Sequence, residues 1–327
     1  MGVRSSVVAD LFDEVWPEVE EVEHELYRQF QGDDALLVEL ATHLLKGGGK
    51  RLRPALVLLA ARAFTYRPER LIPVAAAVEM IHMATLVHDD IVDRATLRRG
   101  LPTINAKWGE DVSVLLGDYL FARAFSMLAD TGDNRVVRIM ADVVFRMSAG
   151  ELEQLAKPFN LQRDEDGYLE HIDKKTAYFI GQCCRLGAML GEAPEPQAEA
   201  LHRYGYAIGM GFQIIDDILD FTGSAEELGK PRCADVQSGV LTLPILYALR
   251  HADAAAELKA LLGRRRFGAY ELERILTIVS DCGGLDYAFA VADRFIGEAK
   301  AVLSALPAGS VRERLHEIAD FVTHRRF

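Results

Sequence analysis

Apolar residues recur at spacings of three and four through most of the chain, and apolar runs such as Ala55 to Ala61 are rich in Ala and Leu rather than β-branched residues. That period predicts helices. The glycines Gly47 to Gly49 would end one helix, and Pro54 sits where the next begins. A long helix is predicted from Pro73 to about Thr96, closed by Gly100 and Pro102, with others over about 110–129, 134–156, 170–190, 196–221, 243–262, 270–281, 284–304 and 310–325. No segment alternates with period two between hairpin turns, so no sheet is predicted. With no Ser/Gly/Pro-rich linker, the expectation is one all-α domain over 1–327. Its polar loops around Pro158 to Asp166 and Gly223 to Gly239 are long enough to signal function.

Composition narrows the classes. The chain has 327 residues, 50% of them hydrophobic and 26% charged, as expected of a globular protein. With 37 basic against 49 acidic residues, the net charge of −12 argues against nucleic-acid binding and against a basic membrane-docking surface. Any anionic ligand must be held locally. Cys183, Cys184, Cys233 and Cys282 have no C-x-x-C spacing and read as reduced thiols, which points to a cytoplasmic location. The N-terminal residues reach acidic sequence by Asp10 without the apolar core of a signal peptide, and Gly2 with Ser6 match only a loose myristoylation pattern. No uninterrupted apolar run reaches membrane-spanning length, so no integral membrane association is expected.

Two helices carry the same acidic motif, Asp89-Asp90-Ile91-Val92-Asp93 and Asp216-Asp217-Ile218-Leu219-Asp220. Asp89 and Asp93 are four apart, as are Asp216 and Asp220, so each pair shares a helical face while the middle aspartate points aside. One such motif alone reads as a solvated acidic face. Two copies, each at the polar end of an apolar helix, instead suit Mg²⁺, which takes hard oxygen ligands and bridges carboxylates to phosphates. Gly48-Gly49-Lys50-Arg51-Leu52-Arg53 and Arg98-Arg99-Gly100 supply cations in loops, although neither is a nucleotide P-loop.

These motifs, with G-G-G-K-R-L-R-P (47 to 54), E-M-I-H-M-A-T-L-V-H-D-D-I-V-D (79 to 93), L-R-R-G (97 to 100), L-L-G-D-Y-L (115 to 120), K-T-A (175 to 177), G-F-Q-I-I-D-D-I-L-D (211 to 220) and G-K-P (229 to 231), resemble the trans (all-E) polyprenyl diphosphate synthases in sequence and order. Arg325-Arg326-Phe327 is in keeping. The resemblance implies antiparallel helices around a central cavity, a homodimer, and aspartate motifs facing each other. It implies that Asp89, Asp93 and Asp216 ligate Mg²⁺, with Asp90, Asp217 and Asp220 in support. Lys50, Arg53, His82 and Arg99 would hold isopentenyl diphosphate, and Arg98, Lys175, Thr176, Gln213 and Lys230 the allylic diphosphate. Asp89, Asp93, Arg98, Lys175 and Asp216 would carry catalysis.

The residue types suit that chemistry. Ionisation of an allylic C–O bond needs negative charge stabilised on the diphosphate leaving group, which metal ions and fixed cations supply. No protein nucleophile is required. Separate Lys/Arg and metal sites let two anionic substrates meet, and the proton lost from the adduct would go to the departing diphosphate.

Product length is read from the helix before the first motif. Short-chain relatives place a bulky aromatic there, whereas this chain has Ala84 and Thr85, so the pocket floor is open, with Ala77, Val78, Met80, Ile81, Phe145 or Met147 deeper. A medium-to-long product, heptaprenyl favoured, follows. Val240 stands where a Lys or Asn often precedes T-L-P, and Arg232-Cys233-Ala234 replaces the usual glycine pair before Asp235. His88 reads as a satisfied helix histidine, Gly205 and Gly209 as helix-packing positions, and Glu151, Glu153 and Gln154 as surface or dimer contacts. Leu115, Leu116, Tyr119 and Leu120 read as core or dimer interface.

Two other readings compete. A class I terpene cyclase shares the first motif, but its N-D-x-x-S-x-x-x-E second motif is absent. A non-catalytic subunit would not need both aspartate motifs, Arg98, Arg99 and Lys175. The resemblance extends to the large component of two-component heptaprenyl diphosphate synthases, which implies a small regulatory partner. Prenyl chains of this length usually become quinone side chains.

Overall fold

The computed structural model describes residues 11–223 and 232–324. It is 78% helical, an all-α fold. The chain separates into two compact units, one of Met1–Val144, Gln182–His202 and Leu303–Glu317, the other of Phe145–Gly181, Arg203–Val302 and Ile318–Phe327.

In the first unit, α1 (Trp16–Arg28), α2 (Ala35–Lys46), α3 (Leu52–Arg62) and α4 (Pro68–Val92) precede a hairpin, β1 (Leu97–Arg98) and β2 (Leu101–Pro102). Then come α5 (Ile104–Trp108), α6 (Glu110–Ala129) and α7 (Asn134–Ala156), the last ending in the second unit. The helix expected from Pro73 begins five residues earlier. Pro68 occupies its first turn, where a missing N–H costs nothing, and Pro73 is accommodated inside. Helix α4 is buried on every side by α1, α3 and α6, and the small Ala75, Ala76 and Ala77 allow that approach.

The remaining helices are α8 (Glu165–Ile172), a π-helical segment Asp173–Ala177, α9 (Tyr178–Leu190), α10 (Glu195–Thr222), α11 (Ala234–Ser238), α12 (Leu243–His251), α13 (Ala255–Gly263), α14 (Ala269–Asp281), α15 (Gly284–Val302) and α16 (Ser310–His324). Tyr168, Ile214, Ile215, Phe221 and Ile245 belong to the core of the second unit. In the first unit, Gly187 of α9 lies against α3 so closely that a Cβ would stand 2.1 Å from the Val57 carbonyl oxygen.

Among the described residues, two helices are long and apolar enough, by length and composition alone, to cross a membrane: α4 and α6. In α4, 72% of the apolar window is buried inside the protein, against 39% in α6. Core packing therefore accounts for the first. On α6 the expected stripe splits, with Leu116 and Leu120 buried and Leu115 exposed.

Candidate active site

The first aspartate motif closes α4. The N–H of Asp93, the C-cap residue, bonds the Asp89 carbonyl at 2.8 Å, so the two carboxylates stand one turn apart. The helix stops because Arg94 turns left-handed (φ 52). That lets the Ala95 N–H reach the Asp90 carbonyl at 2.9 Å and the Arg94 N–H the Ile91 carbonyl at 3.1 Å. Asp90, the middle residue, points inward and is buried. Its Oδ1 accepts from Arg98 Nε at 2.8 Å and lies 2.7 Å from Arg98 Nη2.

Arg98 and Arg99 are displayed by the β1–β2 hairpin, in which Arg98 pairs with Leu101. Its strands are two residues each, too short to show an alternating pattern, which is why no sheet was legible. Arg99 (φ 52) and Gly100 (φ 77) fill the central positions with positive φ, as a two-residue hairpin turn requires. An arginine held there is strained, as is common at functional sites. The His43 ring anchors the hairpin at 2.7 Å from the Pro102 carbonyl. The Arg99 guanidinium donates to the Gly48 carbonyl, joining the hairpin to the glycine loop. A side chain at Gly49 would meet that guanidinium at 2.9 Å.

A pocket opens here, lined by the polar Arg51, Glu79, His82, Asp90, Arg98 and Arg99 and by the apolar Met83, Leu86, Val87 and Ile104. His82 is held well below its ordinary 6.5, first by burial and then by the charges of Arg53, Arg99, Arg98 and Arg51. Guanidinium groups gathered around an imidazole in this way are chemically suited to an anionic ligand. Lys50 is exposed on the adjoining loop. Sequence reasoning counted Arg51 among the loop cations but gave it no separate role and missed Glu79: buried Arg51 donates to Glu79 at 2.8 Å and to Glu23 at 2.9 Å. A lone carboxylate between Val78 and Met80 in an apolar run was the available signal.

In the second unit, Lys175 and Thr176 lie in the π-helical segment, a local geometry often found at functional sites. Gly209 of α10 permits its close approach, since a Cβ there would stand 2.6 Å from the Ala177 Cα. Lys175 pairs with Glu151 at 3.1 Å. Thr176 Oγ1 donates to Gln213 Oε1 at 2.7 Å, and Gln213 Nε2 donates to Asp217 Oδ1 at 2.9 Å. The Tyr168 hydroxyl donates to Asp217 Oδ2 at 2.7 Å. Burial, followed by the charge of Asp235, raises Asp217 to about 7, opposed by the bonds from Tyr168 and Gln213. Asp220 is buried and accepts the Asp235 N–H at 3.2 Å, while Asp216 is half-buried. Both motifs thus turn their middle carboxylate into protein hydrogen bonds.

Arg232 donates to the Phe221 carbonyl at 2.6 and 3.2 Å, capping the end of α10. The Val240 N–H bonds the Asp235 carbonyl at 2.8 Å, and the Phe159 N–H bonds the Gly239 carbonyl at 2.8 Å, so backbone bonds tie down that loop. Lys230, Gly229, Pro231, Gly2, Ser6 and Arg325 to Phe327 lie outside the described residues. His88 packs over Gly117 with a ring nitrogen 3.1 Å from the Val114 carbonyl, as a helix histidine satisfied by its neighbours. Glu153 pairs with Lys174 at 2.8 Å, and Gln154 accepts from Arg163 at 2.7 Å. Ala84 is buried, the half-buried Thr85 donates to the His82 carbonyl at 2.8 Å, and Phe145 is exposed.

The donors fit Mg²⁺ in kind. Asp89 and Asp93 offer hard oxygens from one helix end, and among the described residues no group of three His, Cys, Asp or Glu forms a ready metal cage. Mg²⁺ is usually held through one or two carboxylates together with water and phosphate oxygens, which is the kind of donor Asp89 and Asp93 provide.

Comparison with known proteins identifies the family and the fold. The polyprenyl synthetase family model matches residues 34–279. The chain is 42% identical over 306 residues to heptaprenyl diphosphate synthase component 2 of Geobacillus stearothermophilus, covering 94% of this chain and 95% of that one. The fold matches a decaprenyl diphosphate synthase from Rhodobacter capsulatus with a TM-score of 0.92 at 37% identity, covering 98% and 99% of the two chains. It also matches a polyprenyl synthase from Caulobacter crescentus, complexed with calcium and isoprenyl diphosphate, with a TM-score of 0.92 at 36% identity and 98% of each chain covered. The chain belongs to the polyprenyl synthetase family and is a trans-polyprenyl diphosphate synthase, a prenyltransferase.

Proposed function

We propose that this enzyme condenses an allylic diphosphate with successive isopentenyl diphosphates, in a Mg²⁺-dependent reaction, to make a medium-to-long all-E polyprenyl diphosphate, heptaprenyl favoured. The observation that carries the reading is the pocket lined by Arg51, His82, Arg98 and Arg99, with His82 on the same helix, α4, as Asp89. Lys50, Arg53, His82 and Arg99 bind isopentenyl diphosphate, and His82 meets it as a neutral hydrogen-bonding group. Arg98, Lys175, Thr176, Gln213 and Lys230 engage the allylic diphosphate. Asp89, Asp93 and Asp216 would hold Mg²⁺, which when bound would supply positive charge against the leaving diphosphate. Asp90 orients Arg98; Tyr168 and Gln213 fix Asp217 beside Asp216.

In this reading both units act as one catalytic domain, in a cytoplasmic homodimer whose product serves as a quinone side chain. Small Ala84 and Thr85 leave room for the growing chain. A second reading, in which turnover depends on a small partner subunit, is favoured by the likeness to a protein named as a heptaprenyl synthase component. Asp89→Ala and Asp216→Ala test the site: each should abolish Mg²⁺-dependent condensation while far-ultraviolet circular dichroism stays helical. Retained activity in either would sink the metal assignment.

A further inference from the structure

Lys50, one of the cations expected to bind isopentenyl diphosphate, stands on a loop that contributes little packing of its own, and Arg53 follows it in the first turn of α3. Gly48 (φ 62) and exposed Gly49 and Lys50 must nevertheless keep one shape if Lys50 is to meet a diphosphate in a fixed place. Two arginines hold the loop at its two ends. Arg99 donates to the Gly48 carbonyl on one side. On the other, Arg51 is left-handed (φ 48) at the N-cap of α3, and its side chain turns inward to Glu79 Oε1 at 2.8 Å and Glu23 Oε1 at 2.9 Å.

These partners differ in setting. The Arg51 and Glu79 side chains are 4% and 6% exposed, and that of Glu23 is 43% exposed. Glu79 also projects from the helix that carries His82 one turn later, and it lines the same pocket as His82, Arg98 and Arg99. A buried carboxylate beside a site for anions repels the ligand, and a buried ion pair adds little to stability compared with an apolar pair. Its value here must lie in geometry. A guanidinium engaged by two carboxylates is also withdrawn from the ligand and fixed as a strut.

We propose that the Arg51–Glu79 pair is the positioning device of the anion pocket, clamping the glycine loop to α4 so that Lys50, Arg53 and Arg99 are preset for isopentenyl diphosphate. The identity of the ligand rests on the function proposed above; the clamp itself rests on the contacts of Arg51. Glu79 and Arg51 are positioning residues, and Glu23 is the outer, weaker brace.

The test compares wild type, Glu79→Gln, Glu23→Gln and Arg51→Lys for KM of isopentenyl diphosphate and of farnesyl diphosphate, with circular dichroism to check folding. Glu79→Gln should raise KM for isopentenyl diphosphate about tenfold or more, as loss of a supporting partner typically does, with KM for farnesyl diphosphate within about twofold. Arg51→Lys keeps the charge but loses the fork and should behave similarly. Glu23→Gln should raise it by about twofold to threefold, in keeping with its exposure. Unchanged isopentenyl KM in the folded variants, or parallel changes for both substrates, would overturn the clamp. Should Glu79→Gln fail to fold, Glu23→Gln decides by the same criterion. Should wild type alone fail to condense the substrates, the self-sufficient form of the proposed function fails, and calorimetric binding of inorganic diphosphate then tests the clamp: weaker binding by the Glu23 and Glu79 variants supports it, and equal binding overturns it.

Discussion

Replacing Tyr168 by Phe removes one oxygen from the core of the second unit and almost nothing else. Tyr168 is 2% exposed and its ring packs within the core cluster, so Phe keeps the apolar contacts. What is lost is the 2.7 Å bond to Asp217 Oδ2. A hydrogen bond to a charged group is worth about 1.5–3 kcal/mol and one to a neutral group about 0.5–1.5 kcal/mol, so the cost depends on the protonation of Asp217. Burial raises Asp217 to about 7 from 3.8. The folded protein therefore binds this proton more tightly than the unfolded chain, and the stability it contributes is fully present below 3.8 and is lost as pH rises through about 7. Tyr168 opposes that rise, so its removal pushes Asp217 higher still and extends the loss to higher pH. Urea unfolding without metal should show Tyr168→Phe less stable by about 0.5–1.5 kcal/mol at pH 5 and by about 1.5–3 kcal/mol at pH 8, through the midpoint and not the slope. Equal losses at both pH values, or none, would refute the assignment of Asp217 as the titrating partner.

Other outcomes follow from single contacts. Ala84→Phe should shift products to shorter chains in a condensation assay; an unchanged product distribution would show that Ala84 does not border the growing chain. Gly187→Ala drives a Cβ to 2.1 Å from the Val57 backbone oxygen and should lower stability by at least about 1–3 kcal/mol in thermal unfolding. Gly263→Ala, with nothing within 4 Å, should instead stabilise by about 0.4–1 kcal/mol. Chelation by EDTA should abolish condensation and Mg²⁺ should restore it; full activity in chelator would remove the metal from the mechanism.

Strong helical periods carried far into the structure. The spans read as 110–129 and 134–156 coincide with Glu110–Ala129 and Asn134–Ala156. Where the period was interrupted, the outcome differed. The segment read as one helix over 170–190 begins at Glu165 and passes through the π-helical Asp173–Ala177, because widening the helix there lets Thr176 reach Gln213, a tertiary contact with no local signature. The helix read over 243–262 breaks at Ala252 into α12 and α13, without glycine or proline to announce it. Helix α1 carries many charged residues and was not singled out, although it supplies Glu23. In the site, paired aspartates and adjacent arginines were legible because charge stood out against apolar sequence. The inward turn of Arg51 was not, because it depends on one left-handed residue and on carboxylates from two other helices.

The most direct test of chain-elongating condensation incubates the purified protein with Mg²⁺, farnesyl diphosphate and labelled isopentenyl diphosphate and reads product lengths by chromatography after dephosphorylation. A ladder ending near heptaprenyl, lost on chelation, is the expected result. Folded protein that gives no elongated product with Mg²⁺ present would contradict a self-sufficient synthase and move the account to its partner-dependent form.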